Sequence, residues 1–292
     1  NMLEGRIIEI IANLFYVQVK EEVYTCTSRG KFKQKEEMPV VGDNVELEVM
    51  DSAKKIGSIT KLKPRSNYIK RPKMANVAQM VLVLSQDFPK PDFLLLDKQL
   101  AYLEYLRIAP VICFNKTDLK SNTEEVQEYR NIGYPVITTI AKTGEGVEQL
   151  LSLLTGKISA FSGNSGVGKS TLMNAILKKQ VAVEGDISKK NQKGKNTTTS
   201  VKLYSLGKDT YIADTPGFST FSIEEIPYRE LCLYFKEFVE YLPECEFAGC
   251  SHIKEQNCGI KHAVEQGKIW KGRYENYQKL YEEQKEREEH KW

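Results

Sequence analysis

The chain has 292 residues, of which 41% are hydrophobic and 28% are charged, so it is long enough for two or three folded domains. Its 42 Lys and Arg residues nearly balance 39 Asp and Glu residues, and this composition excludes a disordered chain. Six cysteines exclude a disulfide scaffold at this length and favour a reduced, cytosolic protein. No apolar run reaches about 18 residues, so we expect no membrane span, and the acid within residues 1–6 and the β-like pattern that follows them predict no signal peptide.

The first 66 residues predict a small β-barrel. Residues 7–11, 15–19 and 45–49 are rich in β-branched and aromatic side chains, and a turn at 41–44 precedes the third segment. About five short strands in this length are typical of the oligonucleotide-binding (OB) fold, which often binds RNA. Other small barrels give the same pattern.

The pattern of apolar residues changes after a basic, proline-containing stretch at residues 64–73, which we interpret as a linker. Residues 80–84 and 111–114 are continuous apolar runs, as expected for strands buried on both faces of a parallel sheet, and a helical pattern over 93–106 lies between them. Residues 67–222 are therefore predicted to form an α/β domain. Residues 223–292 are predicted to be mainly helical, with a charged helix near the end.

The sequence G-N-S-G-V-G-K-S at 163–170 fits the phosphate-binding pattern G-x-x-x-x-G-K-[ST], between a predicted strand and a predicted helix. Such loops wrap backbone N–H groups around phosphate, while the lysine reaches the outer phosphates and the serine ligates Mg²⁺. A chance glycine-rich turn is the alternative, and the context disfavours it. The predicted phosphate-binding residues are Gly163, Asn164, Ser165, Gly166, Val167, Gly168, Lys169, Ser170 and Thr171, with Ser170 also holding magnesium.

A second segment reads Asp214-Thr215-Pro216-Gly217 and follows a predicted strand at 211–213. Its aspartate can hold Mg²⁺ through water, and the amide of Gly217 can sense a γ-phosphate. Alone, D-x-x-G is more often a turn. Paired with the phosphate loop, it predicts the other half of a nucleotide site.

Asn115, Lys116, Thr117 and Asp118 follow the strand at 111–114 and predict a guanine site. The Asp118 carboxylate can accept two hydrogens that guanine donates and adenine does not. Asn115 and Lys116 are expected to brace the loop and stack on the base, and Ala141 and Lys142 lie in a loop that adds a backbone contact. A polar turn is the alternative. It is disfavoured because the base motif, the 141–142 loop, the phosphate loop and the D-x-x-G segment all follow apolar strands.

The order of these segments is unusual, because the base motif at 115 precedes the phosphate loop at 163. Each segment still follows a strand, so the same pocket can form with rotated connectivity. The order therefore predicts a circular permutation of a GTPase. It also predicts that the segment after Gly217, which senses the nucleotide, runs directly into the C-terminal region.

Cys245, Cys250, His252 and Cys258 supply three thiolates and one imidazole within 14 residues. This set suits one structural, tetrahedral Zn²⁺. A disulfide pair is the alternative, disfavoured in a reducing compartment. His262 is a spare candidate that we interpret as a surface residue.

Together, these motifs resemble the RsgA family, the circularly permuted GTPases of small-subunit ribosome biogenesis, along nearly the whole chain. The resemblance implies an OB-fold RNA-binding barrel over residues 1–66, a circularly permuted P-loop GTPase domain over 67–222 and a zinc-binding helical domain over 223–292. It implies a cytoplasmic protein that docks on the small (30S) ribosomal subunit, contacts its rRNA and hydrolyses GTP to GDP late in assembly. We further expect a monomer with no membrane partner.

The resemblance also assigns switch I, whose family sequence ends His-Thr-Thr. Here Thr198 takes the position of the threonine that ligates Mg²⁺, and Asn196 takes the position of the histidine proposed to position water. Asparagine can orient a water by hydrogen bonding but cannot act as a base. The predicted catalytic residues are Lys169, Thr198 and Asn196.

The leading hypothesis is a slow GTPase, stimulated by the ribosome, that acts as an assembly checkpoint. Asn196, and Phe218 in place of the glutamine that orients water in Ras-like enzymes, favour an alternative: a GTP-gated rRNA-binding module with vestigial hydrolysis. A third hypothesis is a permuted GTPase acting on another RNA or protein complex.

Charge is distributed unevenly along the chain. Residues 178–202 hold seven lysines and two acids, and residues 1–71 hold 13 basic and 10 acidic side chains, whereas residues 223–292 hold 11 basic and 15 acidic ones. We therefore expect RNA to approach the barrel and residues 178–202. An ordinary solvated surface is the alternative.

Overall fold

The computed structural model describes residues 1–28, 38–86, 88–116, 123–184, 201–215 and 223–291. Over these ranges the chain forms a β-barrel, then a mainly parallel sheet with helices between its strands, then a helical C-terminal region. Five of the predicted functional residues lie outside the described residues: Thr117, Asp118, Asn196, Thr198 and Gly217.

The N-terminal strands close into a barrel in the order β1-β2-β3-β5-β4, which confirms the predicted OB-like barrel. Alternation along the strands turns apolar side chains inward, so that Val17, Val45 and Leu47 are fully buried. β3 pairs with β5 in parallel, and the other neighbours are antiparallel. The strands are β1 (Met2–Ile11), β2 (Leu14–Val19), β3 (Glu22–Ser28), β4 (Asn44–Asp51) and β5 (Ile56–Leu62).

The stretch predicted as a linker, residues 64–73, is partly folded. It enters an antiparallel hairpin of β6 (Tyr68–Lys70) and β7 (Lys73–Ala75), in which the buried Ile69 and Met74 face each other. The hairpin is fixed to the barrel, because the Ala75 N–H donates to the Val41 carbonyl at 2.9 Å. The linker interpretation was wrong here, because the basic residues and prolines drew attention away from the apolar Ile69 and Met74, which pack together.

The second part is a six-stranded sheet in the order β10-β9-β8-β11-β13-β12, and only the β12–β13 pairing is antiparallel. Its central strands are buried on both faces, which explains the continuous apolar runs and confirms the α/β class. The strands are β8 (Gln79–Ser85), β9 (Ala109–Asn115), β10 (Val136–Thr139), β11 (Ile158–Ser162), β12 (Leu203–Gly207) and β13 (Thr210–Asp214).

Four helices lie between the strands in sequence. The first has the predicted bounds and is capped by Asp92, whose carboxylate accepts from the Leu95 N–H at 3.0 Å. Each helix follows the carboxyl end of a strand, so its N-terminus lies at the same sheet edge as the predicted motifs. The helices are α1 (Phe93–Leu106), α2 (Thr123–Ile132), α3 (Val147–Leu154) and α4 (Lys169–Glu184).

The C-terminal region contains two 3₁₀ segments, Tyr228–Tyr234 and Lys236–Glu244, followed by α5 (Gly259–Glu265) and α6 (Lys271–Glu289). α6 packs against α1, where Lys98 and Glu283 form an ion pair at 3.0 Å. Among the described residues, no helix is both long and apolar enough to cross a membrane.

The barrel contacts the sheet at its β12 edge. Glu9 of β1 pairs with Lys202 at 3.5 Å, and the Arg6 guanidinium lies 5.6 Å from the ring centre of Tyr211. Burial raises the pKa of Tyr211, so the ring stays neutral beneath the cation. The barrel is therefore attached beside the strand that follows residues 185–200, where switch I is predicted.

Candidate functional site

The predicted nucleotide-binding segments meet at one edge of the sheet, each after a parallel strand. Asn115 ends β9, Ala141 follows β10, Gly163 follows β11 and Asp214 ends β13. β13 lies directly beside β11, with Asp214 opposite Phe161. Segments far apart in the chain are thus neighbours at the carboxyl ends of the strands, where ligands bind in open α/β sheets.

The phosphate loop has the backbone that its glycines predict. Gly166 and Gly168 have φ of 83° and 89°, and a Cβ at Gly168 would collide with the side-chain nitrogen of Asn115. Val167 is buried and anchors the loop, and α4 begins two residues later, at Lys169. The other predicted phosphate contacts, Asn164, Ser165, Ser170 and Thr171, are exposed near the N-terminus of this 16-residue helix.

Lys169 and Asp214 join the phosphate loop to the D-x-x-G segment. The Lys169 Nζ lies 2.6 Å from Oδ1 of Asp214, and the lysine side chain is only 16% exposed. The cation and the carboxylate that P-loop enzymes use on outer phosphates and on the magnesium water shell are therefore adjacent. Approaching phosphate oxygens would compete with Asp214 for this ammonium.

Asn115 is the central hydrogen-bonding residue of the base side. Its amide donates to the Val167 carbonyl at 2.9 Å, while its Oδ1 accepts from the Ala141 N–H at 3.0 Å and from the Thr139 hydroxyl at 3.1 Å. The side chain is 1% exposed, so each bond is shielded from water. Asn115 therefore ties the end of β9 to the phosphate loop and to the 141–142 loop.

Lys116 makes a second link to the phosphate loop. It adopts a positive φ of 61°, and its Nζ donates to the carbonyls of Gly166 and Phe88, the latter at 3.1 Å. Lys142 is exposed beside the buried Ala141. The role of Phe88 was not predicted, because a backbone acceptor leaves no signal in the sequence.

Cys245, Cys250, His252 and Cys258 converge in the C-terminal region, where their ligand atoms all lie within 4.8 Å of one another. The His252 Nδ1 lies 3.3 Å from the Cys258 Sγ and 3.5 Å from the Cys245 Sγ. In tetrahedral zinc sites, metal–ligand bonds of about 2.0–2.3 Å place N and S about 3.6 Å apart. The four residues could therefore hold one metal ion, whereas the exposed His262 is not part of the group.

Hydrogen bonds around the cluster suit thiolate ligands. Backbone N–H groups of His252, Gly259 and Lys261 donate to Cys250, Cys245 and Cys258 respectively, at 3.4–3.5 Å. Burial lowers the pKa of His252 and so favours the neutral, ligating imidazole. Burial also raises the pKa of Cys250 to about 12, so metal binding would release a proton there.

Two tyrosines of α6 hold the loop that carries His252. The Tyr274 hydroxyl donates to the His252 carbonyl at 2.6 Å, and the Tyr277 hydroxyl donates to the Ser251 carbonyl at 2.9 Å. His252 has a φ of 64°, which the surrounding bonds must maintain. The metal-ligand loop and α6 are thus one packed unit.

Residues 62–224 match the family model described as RsgA GTPase, and residues 4–59 match that of the RsgA N-terminal domain. A protein from a Geobacillus species, named small ribosomal subunit biogenesis GTPase RsgA, is 44% identical, and the alignment covers 98% of this chain and 99% of that protein. The protein of the same name from Agathobacter rectalis is 38% identical, with 99% and 100% covered.

Solved structures agree with these relatives. The crystal structure of YjeQ from Thermotoga maritima superposes with a TM-score of 0.83 at 35% identity, covering 97% of this chain and 99% of that one. YloQ, described as a circularly permuted GTPase, gives a TM-score of 0.81 at 34% identity, covering 98% and 96%. Since family, relatives and permuted fold coincide, the chain belongs to the RsgA GTPases and is a GTP hydrolase.

Proposed function

We propose that the chain assists late maturation of the small (30S) ribosomal subunit, where it binds rRNA and hydrolyses GTP to GDP and phosphate. The observation that carries the proposal is the alignment, over nearly their whole length, with relatives named for biogenesis of this subunit. The barrel and the basic residues 178–202 are the proposed RNA side. The proposal includes a cytoplasmic monomer with domains at 1–66, 67–222 and 223–292.

On the phosphate side, residues 163–171 bind the phosphates and Lys169 neutralises their charge. Ser170 and Thr198 ligate Mg²⁺, Asp214 supports the ion through water, and the amide of Gly217 senses the γ-phosphate. The exposure of the loop at the N-terminus of α4 and the Lys169–Asp214 contact support these roles.

On the base side, Asp118 selects guanine, with Thr117 beside it in the same loop. The bonds of Asn115 and Lys116 to the phosphate loop support this assignment, as does the bond from the Ala141 amide, which ties the 141–142 loop to the base loop. Asn196 orients the attacking water by hydrogen bonding and does not serve as a base. The C-terminal cluster holds one structural Zn²⁺, since its four ligands leave no open position.

Replacing Asp118 with asparagine tests the base side. We expect Asp118→Asn to weaken GTP binding about 100-fold or more and to shift preference toward xanthosine nucleotides, because the amide presents a donor to guanine where the carboxylate accepts. Titration with GTP and XTP measures both effects. Asp209→Asn, at an exposed turn, is the control, and unchanged GTP affinity in Asp118→Asn would remove the base-site assignment.

The subunit proposal is tested by measuring GTP hydrolysis while purified small and large subunits are titrated separately. We expect small subunits to raise turnover at least about tenfold, as partners that complete a GTPase site do, and large subunits to have no effect. If small subunits bind the protein but leave its turnover unchanged, the GTP-gated module is favoured. Asn196 and Phe218 are the residues that motivate this alternative. Failure to recover any subunit in a pull-down would favour another RNA or protein complex.

A further inference from the structure

A buried charge cluster joins the C-terminal region to the GTPase sheet. Asp97 of α1 and Arg273 of α6 are both fully buried and form an ion pair at 2.9 Å. Arg273 also contacts both carboxylate oxygens of Glu237, at 2.8 and 3.0 Å. The second oxygen of Asp97 accepts from Asn276 at 2.7 Å. Each of the three guanidinium nitrogens of Arg273 therefore donates to a carboxylate oxygen, and both oxygens of Asp97 accept a hydrogen bond.

The same carboxylate reaches α2, the helix that follows the base loop in the chain. The Tyr129 hydroxyl donates to Oδ1 of Asp97 at 2.7 Å, so this oxygen accepts from Tyr129 and Arg273 together. Burial raises the pKa of Tyr129 well above its usual value, so the phenol remains a donor. Burial lowers the pKa of Arg273, but Glu237 and Asp97 outweigh it and keep the guanidinium charged.

Aromatic packing continues from this cluster to the base side of the site. The Trp270 ring meets Tyr129 edge-on at 5.6 Å, and Tyr129 stacks on Phe93 at 6.1 Å. Phe93 lies 6.4 Å from Phe114, which directly precedes Asn115 in β9. A continuous series of aromatic contacts, through the partly buried Trp270 and Phe93 and the buried Tyr129 and Phe114, therefore runs from the N-cap of α6 to the residue before Asn115.

We propose that Asp97 and Arg273 are positioning residues for the base side of the nucleotide site, through Tyr129 and Phe114. The C-terminal region thereby sets the affinity for guanine nucleotides without touching their phosphates. This inference rests on the proposed role of Asn115 and its neighbours in binding the base. It adds a source of nucleotide affinity that lies outside the pocket itself.

The test is the double variant Asp97→Asn/Arg273→Met in the full, metal-loaded chain, which removes both charges of the pair together. The introduced amide oxygen can still accept from Tyr129, whereas Glu237, whose side chain is 10% exposed, loses its ionic partner, so the folded state of the variant is checked first by circular dichroism. We expect the dissociation constants of fluorescent GDP and of a non-hydrolysable GTP analogue to rise by the same factor, about tenfold, as typical for coupling between sites. The rate of hydrolysis at saturating GTP should stay within about twofold of the parent.

Lys98→Met is the matched control, because the Lys98–Glu283 pair also joins α1 to α6. Its side chains are more exposed than those of the Asp97–Arg273 pair, at 16% and 37%, and their bond is to each other and not to Tyr129 or Asp97. The control variant should leave both affinities unchanged. Should the double variant fail to fold, Tyr129→Phe removes only the hydroxyl and should weaken GDP and GTP binding equally, by a few-fold.

Unchanged affinity in a folded double variant, or a loss confined to the GTP analogue, would overturn the inference. A lower rate of hydrolysis at saturating GTP with unchanged affinity for both nucleotides would also overturn it. That result would indicate a defect in the residues that contact the phosphates. The parent chain separates the two proposals, because failure of the parent to prefer GDP over ADP would refute the base-site assignment itself.

Discussion

Lys169→Ala is expected to reduce GTP turnover by about a thousandfold, the scale of losing one charged group aimed at a transition state. The Lys169 ammonium lies between the phosphate loop and Asp214, and no second described cation shares that contact. Charge that develops on the transferring phosphoryl group would then be left without its protein counter-charge. Single-turnover hydrolysis at saturating GTP measures the loss apart from any loss of binding.

Lys179→Ala is the matched control for that experiment. Lys179 lies on the same helix but forms a pair with Glu148 at 3.6 Å, away from the phosphate loop. Its removal should leave turnover within about twofold of the parent, as expected for an exposed ion pair. Normal turnover in Lys169→Ala would exclude the phosphate-loop assignment, because that assignment requires the Lys169 ammonium to neutralise the phosphates.

His252→Ala, or removal of metal by a chelator, is expected to unfold the loop over residues 245–258. Structural zinc contributes about 10 kcal/mol or more to the folding of small zinc modules, so three remaining ligands cannot hold this loop. The hydroxyls of Tyr274 and Tyr277 would then lose their carbonyl acceptors on the loop. Limited proteolysis should cut within the loop, and thermal unfolding should begin at lower temperature.

His262→Ala supplies the comparison, since His262 is exposed on α5 and its imidazole is not one of the four grouped ligands. It should retain one equivalent of zinc and the protease resistance of the parent. Zinc content measured on both variants decides the matter. A His252→Ala chain that keeps its zinc and its resistance would show that another group completes the site.

The local signals in the sequence predicted the sheet and the positions of the motifs. The apolar runs at 80–84 and 111–114 indicate strands buried on both faces. The G-x-x-x-x-G-K-S pattern indicates a loop between a strand and a helix. Because parallel strands end at one edge, the convergence of Asn115 and Lys169 could be predicted despite the permuted order. The cysteine and histidine spacing predicted the cluster for a similar reason, since its ligands are close in the chain.

Contacts between distant segments could not be predicted in this way. In the sequence, Asp97 is a single acidic residue in a largely apolar helix. Nothing near it indicates that its partner is Arg273, which lies 176 residues later. The hairpin with Ile69 and Met74 was hidden because its burial depends on the barrel turn at Val41. Such contacts arise only when whole elements pack, and no local pattern encodes them.

The attachment of the barrel to β12 has a consequence for the solubility of the chain. β12 is an outer strand of the six-stranded sheet, and outer strands present unpaired backbone groups to other chains. Leu203 of β12 and Tyr211 of the neighbouring β13 are buried in the same continuous apolar core as Ile7 of the barrel. The barrel thus serves as a cap on the sheet: a GTPase unit cut free of it would present an apolar strand edge, the kind of surface on which proteins aggregate.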